Sequence, residues 1–270
     1  MKSNLSDIYF IQDIFREEYL GGAECNDHVL LNHLSNEYSI EKIKSSLVTK
    51  ELLKSIEDRL IIFSNFTMMS PDAISYATKN NRYIIYEHDH KYIKTRDPSK
   101  FKNFKIPKNS IINHKFYINA HAVVVLSKVC KEILENNLEL ENVYSIGCSL
   151  WSKTKFDFLR SLTLTPKEKK YAVLNSNNPI KGRVEALNLC KKKNLEFDLI
   201  GSDNEKDFLK QLASFETLIF LPQVLETFSR LAAEAKMLNC NLLTKAHLLG
   251  FYSEECSILK GDISIVTGKH

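Results

Sequence analysis

The sequence predicts an α/β chain built from two doubly wound units, each a parallel sheet wrapped by helices on both faces. Three observations predict it. Short apolar runs alternate with helical patterns along the 270 residues. The alternation stops at Ser161 to Lys170, a polar, lysine-rich stretch containing Pro166, and then restarts. Chemically suggestive residues fall just after apolar runs, where ligands of open α/β sheets sit. The expected domains are residues 1–160 and 166–270.

In the first block, Ile8 to Ile11 reads as a strand, and Gly21-Gly22 opens a helix to about Leu34. Leu60 to Phe66 is a longer apolar run and the second strand, followed by a helix from about Pro71 to Thr78. Tyr83 to Tyr86 is the third strand, ending in Glu87-His88-Asp89-His90. Ala122 to Leu126 is the fourth, closed by Ser127 and a helix to about Glu135; Val143 to Ile146 is the fifth. In the second block, strands at Tyr171 to Leu174, Phe197 to Ile200, Thr217 to Leu221 and Asn241 to Thr244 alternate with helices. Those helices run from Gly182 to Lys192, from Glu205 to Leu212, and from the loop after Pro222 to about Leu238.

Composition narrows the function classes. Hydrophobic residues at 44% and charged residues at 26% are those of a soluble globular chain. No apolar run approaches the ~18 residues of a membrane span, and Met1 to Asp7 lacks the apolar core of a signal peptide. Six scattered cysteines without a Cys-x-x-Cys pair argue against a zinc ribbon or a disulfide framework. They point to a reducing cytoplasm, with most thiols buried. A net charge of +4 favours phosphate-bearing partners without identifying nucleic acid. The lysine clusters at 91–108, 167–170 and 191–193 read first as solvated faces.

Pro222 is followed by Glu226-Thr227-Phe228-Ser229-Arg230 and by Glu234, eight residues after Glu226. Eight helical steps span ~12 Å, too far for the two carboxylates to share a proton or a metal. Two grips on one extended ligand suit the spacing, with an anion at the helix N-terminus between them. Arg230 lies one turn before Glu234, the spacing of an intrahelical ion pair. Glu87 to His90 offers metal-ligating residue types, but adjacent strand residues point to opposite faces, so four in a row cannot converge; a polar strand end capping the next loop is the plainer reading. Gly21-Gly22 is not a dinucleotide fingerprint, because the Gly-x-Gly-x-x-Gly spacing is absent.

The segment Pro-x3-Glu-Thr-Phe-Ser-Arg-x3-Glu-Ala resembles the donor-site signature of retaining glycosyltransferases of the GT-B fold, in particular the sucrose-synthase-like and mannosyltransferase-like (family 4-like) group. The resemblance runs from about Gly21 to Leu243 and is densest from Lys181 to Thr244. It implies two Rossmann-like domains facing a cleft, an acceptor-side domain at 1–160 and a nucleotide-sugar domain at 166–270. It also implies transfer of a sugar from a nucleotide-diphosphate donor to an acceptor hydroxyl with retention, the leaving phosphate taking the acceptor proton. By the same resemblance Glu226 and His88 fix the sugar, and Glu234 takes the ribose diol. Lys181, Arg230 and the backbone of Thr227, Phe228 and Ser229 serve the diphosphate. Gly21 and Gly22 approach donor phosphate or acceptor, Asp89 orients His88 or meets the acceptor, and Gly201-Ser202 borders the base. No cofactor and no metal are expected.

The chain departs from the pattern at three positions. Ser176 stands where an arginine of the phosphate clamp is expected, with Arg183 or Arg230 as substitutes. Thr227 and Ser229 stand where glycines are frequent. The acceptor is left open between a glycan and a hydroxymethylated DNA base. A nucleotide-sugar epimerase on the same fold and a non-catalytic binding subunit are the alternatives. Relatives commonly end in a helix returning to the first domain, and residues 254–270 are just long enough for one.

Overall fold

A computed structural model describes residues 5–258. The chain divides into two compact units, residues 1–150 and 151–270.

The first unit carries six parallel strands: β1 (Ile8–Gln12), β2 (Ile40–Lys44), β3 (Leu60–Phe63), β4 (Arg82–Tyr86), β5 (Ala122–Val125) and β6 (Val143–Ser145). Their order is β2-β1-β3-β4-β5-β6. Helices α1 (Gly22–Leu34), α2 (Lys50–Ser55), α3 (Pro71–Asn80), α4 (His114–Ile118) and α5 (Lys128–Leu138) connect them. All five residues of β1 are buried, as a central parallel strand requires. Beside it the rings of Phe63, Phe66, Tyr83 and Phe116 form a cluster, with touching pairs 4.7–6.3 Å apart between centroids. β2 and α2 were not expected from the sequence. Ile40-Glu41-Lys42-Ile43-Lys44 is an edge strand with exposed charges, so its apolar signal is thin. The second strand stops at Phe63 rather than Phe66, because the chain turns where the Ser64 hydroxyl donates to Asp27.

Between β4 and β5 a long irregular segment is pinned by an antiparallel bridge from Ile93 to Ile111. The Asn137 side chain on α5 holds it too, accepting from the Ile106 amide (2.7 Å) and donating to the Phe104 carbonyl (2.9 Å).

The second unit opens with α6 (Lys153–Leu162) and continues β7 (Lys169–Leu174), α7 (Arg183–Lys193), β8 (Asp198–Ile200), α8 (Glu205–Ala213), β9 (Phe215–Phe220), α9 (Arg230–Met237) and β10 (Asn241–Thr244). The four strands are parallel in the order β10-β9-β7-β8. Ala232, Ala233 and Ala235 are buried and let α9 pack closely.

The boundary therefore lies earlier than Ser161. α6 belongs to the second unit, with Leu159 fully buried. The lysine-rich stretch after it is ordered rather than a linker. Lys167 Nζ donates to the carbonyls of Ala213 (2.7 Å) and Leu238 (2.6 Å) at the ends of α8 and α9, where a cation meets the negative end of each helix. The last helix starts at Arg230, so Glu234 sits just past its first turn and the ~12 Å helical spacing from Glu226 does not apply. The expected C-terminal helix falls largely outside the described residues; a 3-10 turn forms at Glu255–Ile258. Cys130, Cys190 and Cys240 are buried, whereas Cys25, Cys148 and Cys256 are half-buried. Among the described residues no helix is long and apolar enough to cross a membrane.

Candidate functional site

In each sheet the strand order reverses at one point, β1/β3 in the first unit and β7/β9 in the second. Loops leaving adjacent strands in opposite directions open a crevice there, beyond the carboxyl ends. Both reversal points hold a polar cluster.

In the second unit the loop after β7 meets the loop after β9. Gly182 takes a left-handed conformation (φ 69°), and a Cβ there would lie 1.6 Å from the Leu221 carbonyl oxygen, so only glycine permits the approach. The Gln223 amide donates to the Ile180 carbonyl at 2.8 Å and closes the contact. Lys181 thereby reaches Glu226, Nζ to Oε1 2.6 Å. Glu226 is itself anchored, its amide donating to Leu248 and its carbonyl accepting from Gly250, both at 2.9 Å.

Ser229 caps the start of α9 in the left-handed region (φ 77°, ψ 86°). A non-glycine residue gives up about 1–2 kcal/mol there, so the chain keeps the backbone of a glycine at a position where it has a serine. The Ser229 hydroxyl is buried and has no hydrogen-bond partner among the described residues. Phe228 has its side chain in the core, edge-on to Trp151 and Phe251, so only its backbone remains for a ligand. Thr227 is half-buried beside it. Arg230 makes the anticipated long pair with Glu234 (3.9 Å) and lies over the Trp151 ring, Cζ 4.7 Å from its centroid. Arg183 instead reaches Asn177, 3.4 Å away. Ser176 accepts from the Asn178 amide at 3.2 Å, a contact within its own turn. Glu234 is buried, its Oε1 accepting from Trp151 Nε1 at 2.9 Å with Lys155 Nζ 3.4 Å away.

In the first unit α1 starts at Gly22 with Gly21 as its cap. A Cβ on Gly21 would meet the Glu24 carboxylate and, at 2.7 Å, the exposed Tyr19 ring, both side chains that can swing aside. Burial, reinforced by the nearby Asp27 and Asp89 carboxylates, pushes the Glu24 carboxyl up. Asp27, one turn further along, is the residue that sequence reasoning missed. It accepts from Ser64 beyond β3 and meets His88 Nε2 beyond β4 at 2.7 Å, all three buried. Burial alone would lower the His88 pKa, but the Asp27 charge and hydrogen bond overcome it and raise it above the ordinary value. Asp27, not Asp89, therefore orients His88; Asp89 turns outward to Arg96 at 2.6 Å. A lone Asp inside an amphipathic helix, paired with a residue 61 positions away, leaves no local signal.

The four residues after β4 take four separate partners. Glu87 is fully buried against Lys91 Nζ (2.9 Å), the Asp89 amide (2.8 Å) and the Tyr117 hydroxyl. Burial works to raise its carboxyl pKa, but Lys91 and these hydrogen bonds prevail and hold it at about 2. His90 contacts the Tyr92 hydroxyl at 3.0 Å. Among the described residues no three His, Cys, Asp or Glu side chains form a group that could hold a metal.

No family model matches the sequence, and no curated protein matches it. Solved structures do. The structure of HepE from Anabaena in complex with UDP is 14% identical over 87% of this chain and 79% of its own, with a TM-score of 0.50. A glycosyltransferase from Rickettsia africae is 14% identical over 89% and 79%, TM-score 0.51. An alpha-glucosyltransferase in complex with UDP and a 13-mer DNA containing an HMU base is 9% identical over 90% and 80%, TM-score 0.51. The chain has the fold of the GT-B glycosyltransferases. That likeness rests on two parallel sheets with helical crossovers, at identities where only the architecture is shared.

Proposed function

We propose that the chain is a retaining glycosyltransferase that moves a sugar from a nucleoside diphosphate to an acceptor hydroxyl. One observation carries the reading: the Lys181–Glu226 pair lies at the β7/β9 reversal point, and the loop running on from Glu226 ends in the buried, unpartnered Ser229 hydroxyl at the start of α9. A buried hydroxyl without a partner costs about 1–3 kcal/mol, and a diphosphate oxygen at a helix N-terminus would satisfy it. Lys181, Arg230 and the first amides of α9 would carry the charge of the departing diphosphate, and no metal is needed for it. Glu226 would fix sugar hydroxyls near the reacting carbon. The departing phosphate would take the acceptor proton on the face it leaves, which retains configuration.

For the acceptor, the segment between Lys94 and Lys115 is informative: its exposed charged side chains are all cationic, and its one acid, Asp97, is buried. That favours a polyanion such as hydroxymethylated DNA over a neutral glycan, and a structural neighbour is a glucosyltransferase bound to DNA.

The test is a panel of UDP-, GDP- and ADP-sugars, read as thermal stabilisation and as transfer to glycan or modified DNA with EDTA present. One donor should stabilise the protein and be consumed. Glu226→Ala should lower kcat by at least about tenfold while changing donor affinity less, and transfer to DNA should fall steeply with salt. Silence toward every donor would leave a non-catalytic subunit; epimerised donor without acceptor would make the protein an isomerase.

A further inference from the structure

The sheet of the first unit is covered unevenly. From β2 onward every crossover moves toward β6, and right-handed crossovers in one direction fall on one face. α2, α3, α4 and α5 therefore share that face, where Phe116 of α4 packs on Phe63 and Tyr83. Its strand residues Ile85, Val123, Val125 and Val143 are at most 2% exposed. The crossover from β1 to β2 runs the other way, so α1 lies on the opposite face, its Leu34 beside Ile8 and Leu60. The register carries that second face across the sheet: Ile62 lies beside Ile84, Ile84 beside Ala122, and Val124 beside Tyr144. Ile84, Ala122 and Val124 are half-buried, while Tyr144 is 58% exposed and Ile146, two residues on, 41%. A parallel sheet is ordinarily buried on both faces, so this apolar strip calls for a cover.

Two features of the strip match. Between the end of α1 and β4 lies an apolar hollow of about 440 Å³, walled by Leu34 and Tyr38 on one side and by Leu60, Ile62 and Ile84 on the other, with Asp7 beside them. An apolar cavity of about 150 Å³ already holds benzene. Two strands away, about 10 Å across the sheet at the usual spacing, the Tyr144 ring stands out from β6. A two-fold axis between knob and hollow makes such a face complementary to itself. We propose that this face is an interface between two copies of the chain, each inserting Tyr144 into the hollow of the other. The Asp7 carboxylate is there to accept the phenol O–H, which burial would otherwise strand. About four strands of about four residues, with one inserted aromatic, give roughly 400–500 Å² per copy. That is below the ~800 Å² of a tight complex, so the dimer is reversible, with Kd in the micromolar range.

Sedimentation velocity of the full chain between about 1 and 300 µM tests this. The wild type should pass from monomer to dimer across the range. Tyr144→Ser removes the knob and Tyr38→Asp spoils the hollow. Because the two-fold repeats each contact, either should weaken association at least about thirtyfold with unchanged circular dichroism, and either alone carries the test if the other fails to fold. An equimolar mixture of the two variants restores one intact contact and should associate more strongly than either variant by itself, which damage to the fold would not produce. A wild type monomeric to the top of the range overturns the proposal, as does a dimer indifferent to both substitutions or a mixture no better than its components. If the wild type is monomeric and a chain ending at Ile258 dimerises, the face belongs to residues 259–270 instead. If it is monomeric and binds phosphatidylcholine vesicles in a way that Tyr144→Ser abolishes, the face belongs to a lipid surface.

Discussion

At the scale of single residues, the first unit stakes much on one buried ion pair. Glu87 and Lys91 are 1% and 2% exposed, and Phe66 lies under the ammonium at 5.5 Å. Removing one partner of such a pair strands the other charge. Lys91→Met should therefore cost about 3–5 kcal/mol at neutral pH in urea unfolding. The pH dependence has a definite sign. The folded pKa of Glu87, about 2, lies below its ordinary 4.5, so the pair's contribution is complete above 4.5 and is lost as pH falls toward 2. The stability gap between wild type and Lys91→Met should accordingly shrink from pH 7 to pH 3. A constant gap would mean that Lys91 acts by packing alone. His88 runs the other way: its raised pKa places the stabilisation from Asp27 below about 6.5, and it is lost as pH rises through the folded value. The roles of these residues were unevenly legible. Lys181 and Glu226 stand in recognisable short segments, whereas Asp27 and Lys91 act through partners that only the folded chain supplies.

At the scale of elements, the loops after β7 and β9 are positioned by backbone fit rather than by side chains. The turn Pro179–Lys181 ends in Gly182, packed on the Leu221 carbonyl. The loop from Pro222 to Ser229 is held from its far side by Leu248, Gly250 and Phe251. Gly182→Ala forces a left-handed alanine, about 1–2 kcal/mol, and drives its methyl into the Leu221 carbonyl, an overlap of about 1–3 kcal/mol. A loss of about 3 kcal/mol in urea unfolding is expected, with donor affinity reduced because Lys181 and Glu226 separate. Full stability in the alanine variant would show that the turn can relax away from β9. Sequence patterning found most strands and the major helices here, because buried parallel strands are continuous apolar runs. It began α9 no more than about a turn early, near Thr227, because Phe228 is apolar for a different reason: with Leu225 it fills the core beneath the loop.

At the scale of the whole molecule, the two units should be separable by spectroscopy, because the chain has a single tryptophan and it lies in the second unit. Tyrosines occur in both units, so circular dichroism follows the whole chain while indole emission follows residues 151–270 alone. The groups proposed to hold the nucleotide (Lys181, Glu226, Ser229, Arg230 and Glu234) all belong to that second unit. A ligand that binds only the folded form stabilises it by RT ln(1 + [L]/Kd), about 2.7 kcal/mol at a hundred times Kd. For a unit of this size that is a rise of several degrees in midpoint. Saturating nucleotide should therefore raise the melting midpoint seen by tryptophan emission, whereas the part of the dichroism transition that belongs to residues 1–150 should move less. Equal shifts in both signals would instead mean that the units melt as one cooperative body and that nucleotide binding is felt throughout the chain. Polarity alone mislocated the boundary between them. In the stretch after Leu162, Lys167 closes the ends of α8 and α9 while Lys169 and Lys170 are exposed, and a sequence read linearly cannot tell a lysine that caps two helices from one that faces water.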